Sequence, residues 1–239
     1  FKRDNKLEFT KDEIVVSTGA KQSLANICLS LLDPGDEVLL PCPYWVSYAE
    51  IIKLAEGVPV EISSSVTNNF KVSPKQIENA ITDKTRMFMF SSPCNPSGSV
   101  YTEDELREIA EVFKKNPNIY IVSDEIYEHI NFTDKHFSIG TIDSLKDRVI
   151  TVNGVSKGFA MTGWRVGFIG APLWIAKACN KIQGQVTSAT CAIAQKATEE
   201  AMNADPKIVT NEMKSSFLKR RDLLLEKLNS IKGIKCNIP

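Results

Sequence analysis

Histidine is nearly missing from this chain. Its 239 residues include only His129 and His136, and neither spacing suits a metal site. The six cysteines (Cys28, Cys42, Cys94, Cys179, Cys191 and Cys236) form no C-x-x-C pair and sit mostly in apolar surroundings. They read as reduced, buried thiols of a cytoplasmic protein. Neither sign of charge is in excess. With 29 basic and 29 acidic residues the formal net charge is zero, and there is no basic block, which argues against nucleic acid as a partner. No apolar run approaches the roughly 18 residues of a membrane span, so no membrane partner is expected. No signal-peptide pattern opens the chain. The phosphate loop G-x-x-x-x-G-K-[ST] and the dinucleotide fingerprint G-x-G-x-x-G are both absent. There are no internal repeats and no low-complexity segment.

What is present is an alternation of strands and helices. At 43% hydrophobic, the chain suffices for one large domain, or for one domain plus part of another. Strands are expected at Glu13–Ser17, Glu37–Leu40, Val58–Ile62, Thr85–Phe90, Ile119–Ser123, Val149–Val152 and Val166–Gly170. Each is a near-continuous apolar run, as in a sheet covered on both faces. Helices are expected after Thr18 to about Leu32, at Tyr44–Glu56, at Pro74–Thr82, after the capping box Thr102–Glu105 to about Lys115, and at about Leu173–Gly184 and Ala189–Met202. Pro41–Pro43 is read as breaking the second strand. A long helix is expected from Pro206 to about Ile231. The fold class is therefore α/β, a three-layer α/β/α arrangement around a mostly parallel seven-stranded sheet. Residues 1–205 are assigned to one large domain. Residues 206–239 are assigned to an interdomain helix and the start of a second domain. The chain opens on Phe1 and stops just after a strand-like Gly233–Pro239, which reads as a piece of a longer protein.

The stretch Val152–Gly167 carries one lysine, Lys157, no acidic residue and four glycines. Desolvation favours the neutral amine, and a neutral amine attacks carbonyl compounds. One reading is an imine-forming lysine that holds pyridoxal phosphate; the other is a solvated loop lysine. In an open α/β sheet, ligands bind beyond the carboxyl ends of the strands, and several further candidates fall there. Gly19 and Ala20 lie between strand one and a helix, where backbone N–H groups can approach a phosphate, or simply make a tight connection. Asp124 ends strand five, where a buried carboxylate needs a cationic partner such as a pyridinium nitrogen, or caps the next helix. Tyr127, three residues on, would share one side of a helical turn with it and can hydrogen bond a cofactor, or be a half-buried core tyrosine. Asn95 is aimed by its flanking prolines, or is an ordinary turn asparagine. Trp45 can stack on an aromatic ring, or pack in the core. Arg165 can grip a phosphate with Ser156 beside it, or form a surface ion pair. His129 and His136 read as solvated or locally bonded, with no catalytic part.

The order of these segments resembles the fold-type I pyridoxal-phosphate enzymes, and in particular the class I aminotransferases of the aspartate aminotransferase kind. The segments are STGAKQSL (17–24), DPGDEV (33–38), PYWVSY (43–48), SSPCNPSG (91–98), VSDEIYEHI (122–130) and NGVSKGFAMTGWRVGF (153–168). PYWVSY with SDEIYEH further resembles the bacterial aspartate/prephenate subgroup. The resemblance implies pyridoxal 5'-phosphate as cofactor, with Lys157 as the Schiff-base lysine and proton carrier. It implies that Asp124 pairs with the ring nitrogen, and that Tyr127 and Asn95 bond the 3-oxygen. Gly19, Ala20, Ser156 and Arg165 would hold the phosphate, and Trp45 would stack on the ring. Asn95, Trp45 and Lys21 would meet the substrate, Lys21 at its distal carboxylate. The implied activity is ping-pong transfer of an amino group from aspartate or a related amino acid to 2-oxoglutarate, by a homodimer. A β-elimination lyase of the same fold and a non-catalytic regulatory module are the alternatives. Where the family commonly has Pro-Asn-Asn-Pro, this chain has Pro93-Cys94-Asn95-Pro96. The small-domain arginine that grips the α-carboxylate in this family has no counterpart in the sequence.

Overall fold

The computed structural model describes residues 1–133 and 135–239. The apolar runs become seven strands: β1 (Ile14–Ser17), β2 (Glu37–Cys42), β3 (Val58–Ser63), β4 (Thr85–Ser91), β5 (Tyr120–Asp124), β6 (Val149–Gly154) and β7 (Gly167–Gly170). They form one sheet in the order β1-β7-β6-β5-β4-β2-β3. The pairs β2–β3, β2–β4, β4–β5 and β5–β6 are parallel. Strand β7 runs antiparallel to both β6 and β1. Its reversal follows from its connection. Residues 155–166 contain only a single 3-10 turn (Thr162–Trp164), not the crossover helix that a parallel return needs.

Nine helices are seen among the described residues: α1 (Lys2–Asn5), α2 (Ala20–Leu31), α3 (Ser47–Leu54), α4 (Pro74–Ala80), α5 (Glu103–Lys115), α6 (Leu173–Val186), α7 (Ala192–Asn203), α8 (Pro206–Val209) and α9 (Asn211–Asn229). Side chains of a strand alternate between faces, and β4 shows how this builds the layers. Met87 and Met89 enter one core with Leu24 and Ile27 of α2, Ile52 of α3 and Ile175 of α6. Phe88 and Phe90 enter the other with Ile77 of α4 and Leu106, Ile109 and Phe113 of α5. Phe88 lies 5.2 Å from Phe90 and 5.1 Å from Phe113, centroid to centroid. The three-layer α/β/α architecture read from the sequence is the one observed.

The start of α5 is set by its capping box. The Thr102 hydroxyl accepts from the Glu105 N–H, and Glu105 Oε2 accepts from the Thr102 N–H at 2.7 Å. Glu103, Asp104 and Glu105 fill the first turn and Lys114 and Lys115 the last, each complementing the helix dipole.

Four local expectations need correction. Strand β2 does not break at Pro41 but runs to Cys42. Its pairing with β4 ends at Leu39, so the missing proline N–H costs nothing on that side, while pairing with β3 continues to Ser63. Helix α3 starts at Ser47, not Tyr44, because Tyr44 and Trp45 lie in the approach to it, with the Trp45 carbonyl accepting from the Tyr48 N–H at 2.9 Å. The long helix expected at 206–231 is interrupted at Thr210 and ends at Asn229. The Thr210 hydroxyl donates to the Pro206 carbonyl at 2.6 Å, a local bond that competes with regular helix. Finally, Asp124 and Tyr127 do not share a helical turn. Asp124 is the last residue of β5, and Tyr127 precedes a 3-10 turn at Glu128–Ile130.

Candidate active site

The carboxyl ends of β1, β4, β5 and β6 and the start of β7 meet at one edge of the sheet. A cavity of about 270 Å³ opens there. Lys157, Asp124, Tyr127 and Asn95 line it, as do Ser156, Arg165, Ala20, Lys21 and Trp45. Residues 20 to 165 thus converge on one space, and Gly19 borders it through Arg165.

Asp124 is 4% exposed. Its Oδ2 accepts from the Tyr48 hydroxyl at 2.7 Å, and its Oδ1 from the Ile126 N–H at 3.2 Å. The second bond closes a local turn two residues on, and is not the helix cap considered as an alternative, since the 3-10 turn that follows is preceded by Tyr127. Burial pushes the Asp124 carboxyl up to about 6; the bonds from Tyr48 and Ile126 and the Lys157 charge pull the other way, while Glu125 adds to the rise. Lys157 is therefore not in anion-free surroundings. Its own stretch lacks acids, but the neighbouring strand delivers Asp124 within electrostatic reach. Lys157 Nζ also lies 5.7 Å from the centre of the Tyr127 ring. Asn95 Nδ2 donates to the Tyr127 hydroxyl at 3.5 Å, a long bond.

Small residues and a cation form another part of the cavity wall. Arg165 sits at φ 54°, ψ 54°, a left-handed conformation that is unusual for a residue with a side chain. Its Nη1 donates to the Thr162 carbonyl at 2.9 Å, and the guanidinium lies over Gly19. Gly19 has φ 82°, ψ 157°, a region almost reserved for glycine, and a Cβ there would overlap Arg165 Nη2. Gly167 meets the Ala20 N–H side of α2 equally closely. Together they hold the guanidinium beside the first turn of α2, whose leading N–H groups have no intrahelical acceptor. Gly19→Ala is expected to lower unfolding stability by about 1–3 kcal/mol. Urea denaturation checks this, and an unchanged midpoint would contradict it.

Lys21 Nζ lies over the Trp45 ring, 4.8 Å from its centre, and both line the cavity. Trp45 in turn meets the buried Tyr48 edge-on at 5.6 Å.

Two features escaped the sequence reading. One is Tyr48, visible only as the last letter of PYWVSY. The other is a polar cluster behind the cavity. Buried Glu125 accepts from Asn5 Nδ2 (2.9 Å), the Ser123 hydroxyl (2.9 Å) and the Ser138 hydroxyl (2.7 Å), and pairs with His136 Nε2 at 2.7 Å. Glu128 accepts from Asn153 Nδ2 at 2.7 Å and from Asn5 Nδ2. Burial pushes Glu128 up to about 7 against the pull of His136, with Glu125 and Asp4 adding to the rise. Neither His129 nor His136 is solvated: their side chains are 14% and 11% exposed. Atoms able to ligate a metal, from Glu125, Glu128 and His136 and from Asp4, Glu128 and His129, fall within 4.8 Å of one another in each set. The hydrogen bonds just described use the first set, so the grouping arises from chain folding that no local spacing encodes.

Among the described residues, no helix is long and apolar enough to cross a membrane.

The profile of the family "Aminotransferase class I and II" matches residues 1–239. The chain is 48% identical over 238 residues to the aspartate/prephenate aminotransferase of Nitrosomonas europaea, covering 99% of this chain and 60% of that protein. It is 45% identical to the bifunctional aspartate aminotransferase and glutamate/aspartate-prephenate aminotransferase of Petunia hybrida, covering 100% of this chain and 50% of that one. Among solved structures, the aspartate aminotransferase from Rhizobium meliloti superimposes with a TM-score of 0.97 at 41% identity, over 100% of this chain and 60% of that one. The Thermus thermophilus aspartate aminotransferase with maleate gives 0.94 at 39% identity, over 100% and 62%. The chain thus spans half to three fifths of these relatives' length. Matched by the family profile from its first residue to its last, it belongs to the class I and II aminotransferases.

Proposed function

We propose that the whole protein is a pyridoxal-phosphate-dependent aminotransferase that takes the amino group of aspartate, with 2-oxoglutarate as acceptor, and works as a homodimer. The observation that carries this is the placement of an amine (Lys157), a buried carboxylate (Asp124) and a guanidinium (Arg165) around one cavity. Those three groups suit three ends of one cofactor: an aldehyde, a ring nitrogen and a phosphate. The fit also rests on the glycine cradle, since a side chain at position 19 would fill the space that the Arg165 guanidinium occupies.

In this reading Arg165, Ser156 and the Gly19–Ala20 helix start hold the phosphate. Asp124 would pair its negative charge with the ring nitrogen. Tyr127 and Asn95 would bond the ring oxygen, and Trp45 would stack on the ring. Bound there, pyridoxal phosphate supplies an electron sink for the carbon that loses its proton. Lys157 Nζ would hold the aldehyde end and, once the substrate's amino group had displaced it as a free amine, would take up the substrate Cα proton and pass it on. Asn95 reaches the substrate α-carboxylate. Residues 1–205 would form the large domain, with 206–239 leading into a second one.

For the substrate, Lys21 in the cavity wall suits a distal carboxylate. The Thermus relative's structure contains maleate, a dicarboxylate, which fits the same preference. Lys21→Ala in the whole protein is expected to lower kcat/KM for aspartate by about tenfold to a hundredfold, the worth of one charge-assisted hydrogen bond. The fall for alanine should be far smaller. Steady-state assays with both donors check this, with 2-oxoglutarate and prephenate each tried as acceptor. Equal losses for aspartate and alanine would remove Lys21 from substrate recognition. Pyruvate release without an acceptor would point instead to the β-elimination reading.

A further inference from the structure

The Asp124 carboxylate does not stand alone in the cavity wall. The Tyr48 side chain is 1% exposed, and its hydroxyl donates to Asp124 Oδ2 at 2.7 Å. The ring is held edge-on by Trp45 at 5.6 Å, so its direction is fixed by packing. The Ser91 hydroxyl approaches the same phenol but gives its proton to the Pro93 carbonyl at 2.7 Å. This leaves Asp124 as the acceptor for the Tyr48 proton. An ionised carboxylate can only accept, so this arrangement matches the charged form of Asp124 and disfavours the neutral one.

We infer that Tyr48 is a positioning residue whose phenol proton fixes both the orientation and the ionised form of Asp124. The inference rests on the reading of Asp124 given under Proposed function, and it adds the group that keeps that carboxylate ready. Burial, with Asp124 beside it, holds the Tyr48 phenol well above the ordinary tyrosine range, so it stays a donor at any working pH. Burial drives Asp124 towards neutrality, and the Tyr48 bond is the largest of the influences opposing that drift. Two donors hold the two carboxylate oxygens, Tyr48 on Oδ2 and the Ile126 N–H on Oδ1, which sets the plane of the group and the lone pairs left facing the cavity.

The test uses the whole protein and two substitutions at position 48. Tyr48→Phe keeps the ring and removes only the hydroxyl. Site-specific replacement of Tyr48 by 3,5-difluorotyrosine keeps the hydroxyl and makes it a stronger donor. In cofactor-free protein, the Asp124 carboxyl is titrated by carbon-13 NMR. Tyr48→Phe is expected to move its midpoint up by about one pH unit, and the fluorinated side chain to move it down. In cofactor-loaded protein, Tyr48→Phe should lower kcat about tenfold with little change in KM. Combined with Asp124→Asn it should cause almost no further loss, since both changes act through one carboxylate. An unmoved Asp124 midpoint in both variants, or full additivity with Asp124→Asn, overturns the inference. The titration needs no cofactor, so the two ideas separate. A shifted midpoint in a protein that never binds pyridoxal phosphate upholds the Tyr48 link and sinks the aminotransferase reading. An unshifted midpoint in an active enzyme does the reverse.

Discussion

Lys157→Ala in the whole protein is expected to lower kcat for aspartate transamination by about ten-thousandfold or more. The substitution removes one nitrogen with two proposed tasks. As a proton carrier alone, a positioned base is worth about a hundredfold to ten-thousandfold. As the nucleophile that holds the aldehyde it contributes further, because losing it turns a covalent exchange into slow capture from solution. The fold should survive, because Lys157 lies on the loop after β6, and the two main cores draw on other residues. A steady-state assay checks the loss, and circular dichroism checks the fold. Activity within tenfold of the unsubstituted protein would remove Lys157 from the chemistry.

Asp124→Asn is expected to act in opposite directions on activity and on stability. The charge proposed to pair with the ring nitrogen disappears, and kcat should fall by about a hundredfold to a thousandfold, the range for losing one preorganised electrostatic contact. In cofactor-free protein the same change should stabilise the fold at neutral pH. Burial lifts the folded-state Asp124 from the ordinary 3.8 to about 6. The folded form therefore holds its proton where the unfolded chain has lost it. Between about pH 4 and 6 the folded state binds more protons, so stability falls as pH rises through that window. Above it the full cost is in place, about 2–3 kcal/mol for a gap of about two pH units. The Asp124→Asn protein would escape that cost at pH 8 and show no advantage at pH 4. Thermal unfolding of both proteins at the two pH values measures this. Equal melting at pH 8 would contradict a costly buried charge. A stabilising loss of function of this kind is common where a site stores strain or buried charge.

The layers of the fold were legible because the strand residues are apolar on both faces. Met87 and Met89 against Phe88 and Phe90 need two cores, and only helices on both sides supply them. Helix α5 announced itself through Thr102 and Glu105, since a capping box is local chemistry. The cavity-lining residues were legible for a related reason: Asp124 ends a strand and Asn95 and Lys157 each follow one, and a parallel sheet turns that sequence rule into one cavity.

What was not legible depends on contacts between distant segments. Nothing near Lys157 in sequence announces Asp124, because the register of β5 beside β6 brings it there. Tyr48 reads as one more aromatic until α3 packs it under Asp124. Asn5 bridges Glu125 and Glu128 across more than a hundred residues. The left-handed Arg165 is invisible for another reason. Its conformation is set by Thr162 and Gly19, not by arginine's own preference.

The central claim is that Lys157 is the amine that holds the cofactor. Whole protein is incubated with pyridoxal phosphate, reduced with borohydride, digested and mapped by mass spectrometry. The account predicts one phosphopyridoxyl group on the peptide that contains Lys157, and its loss in Lys157→Ala. A label on any other lysine with Lys157 unmodified, or no label at all, would contradict it.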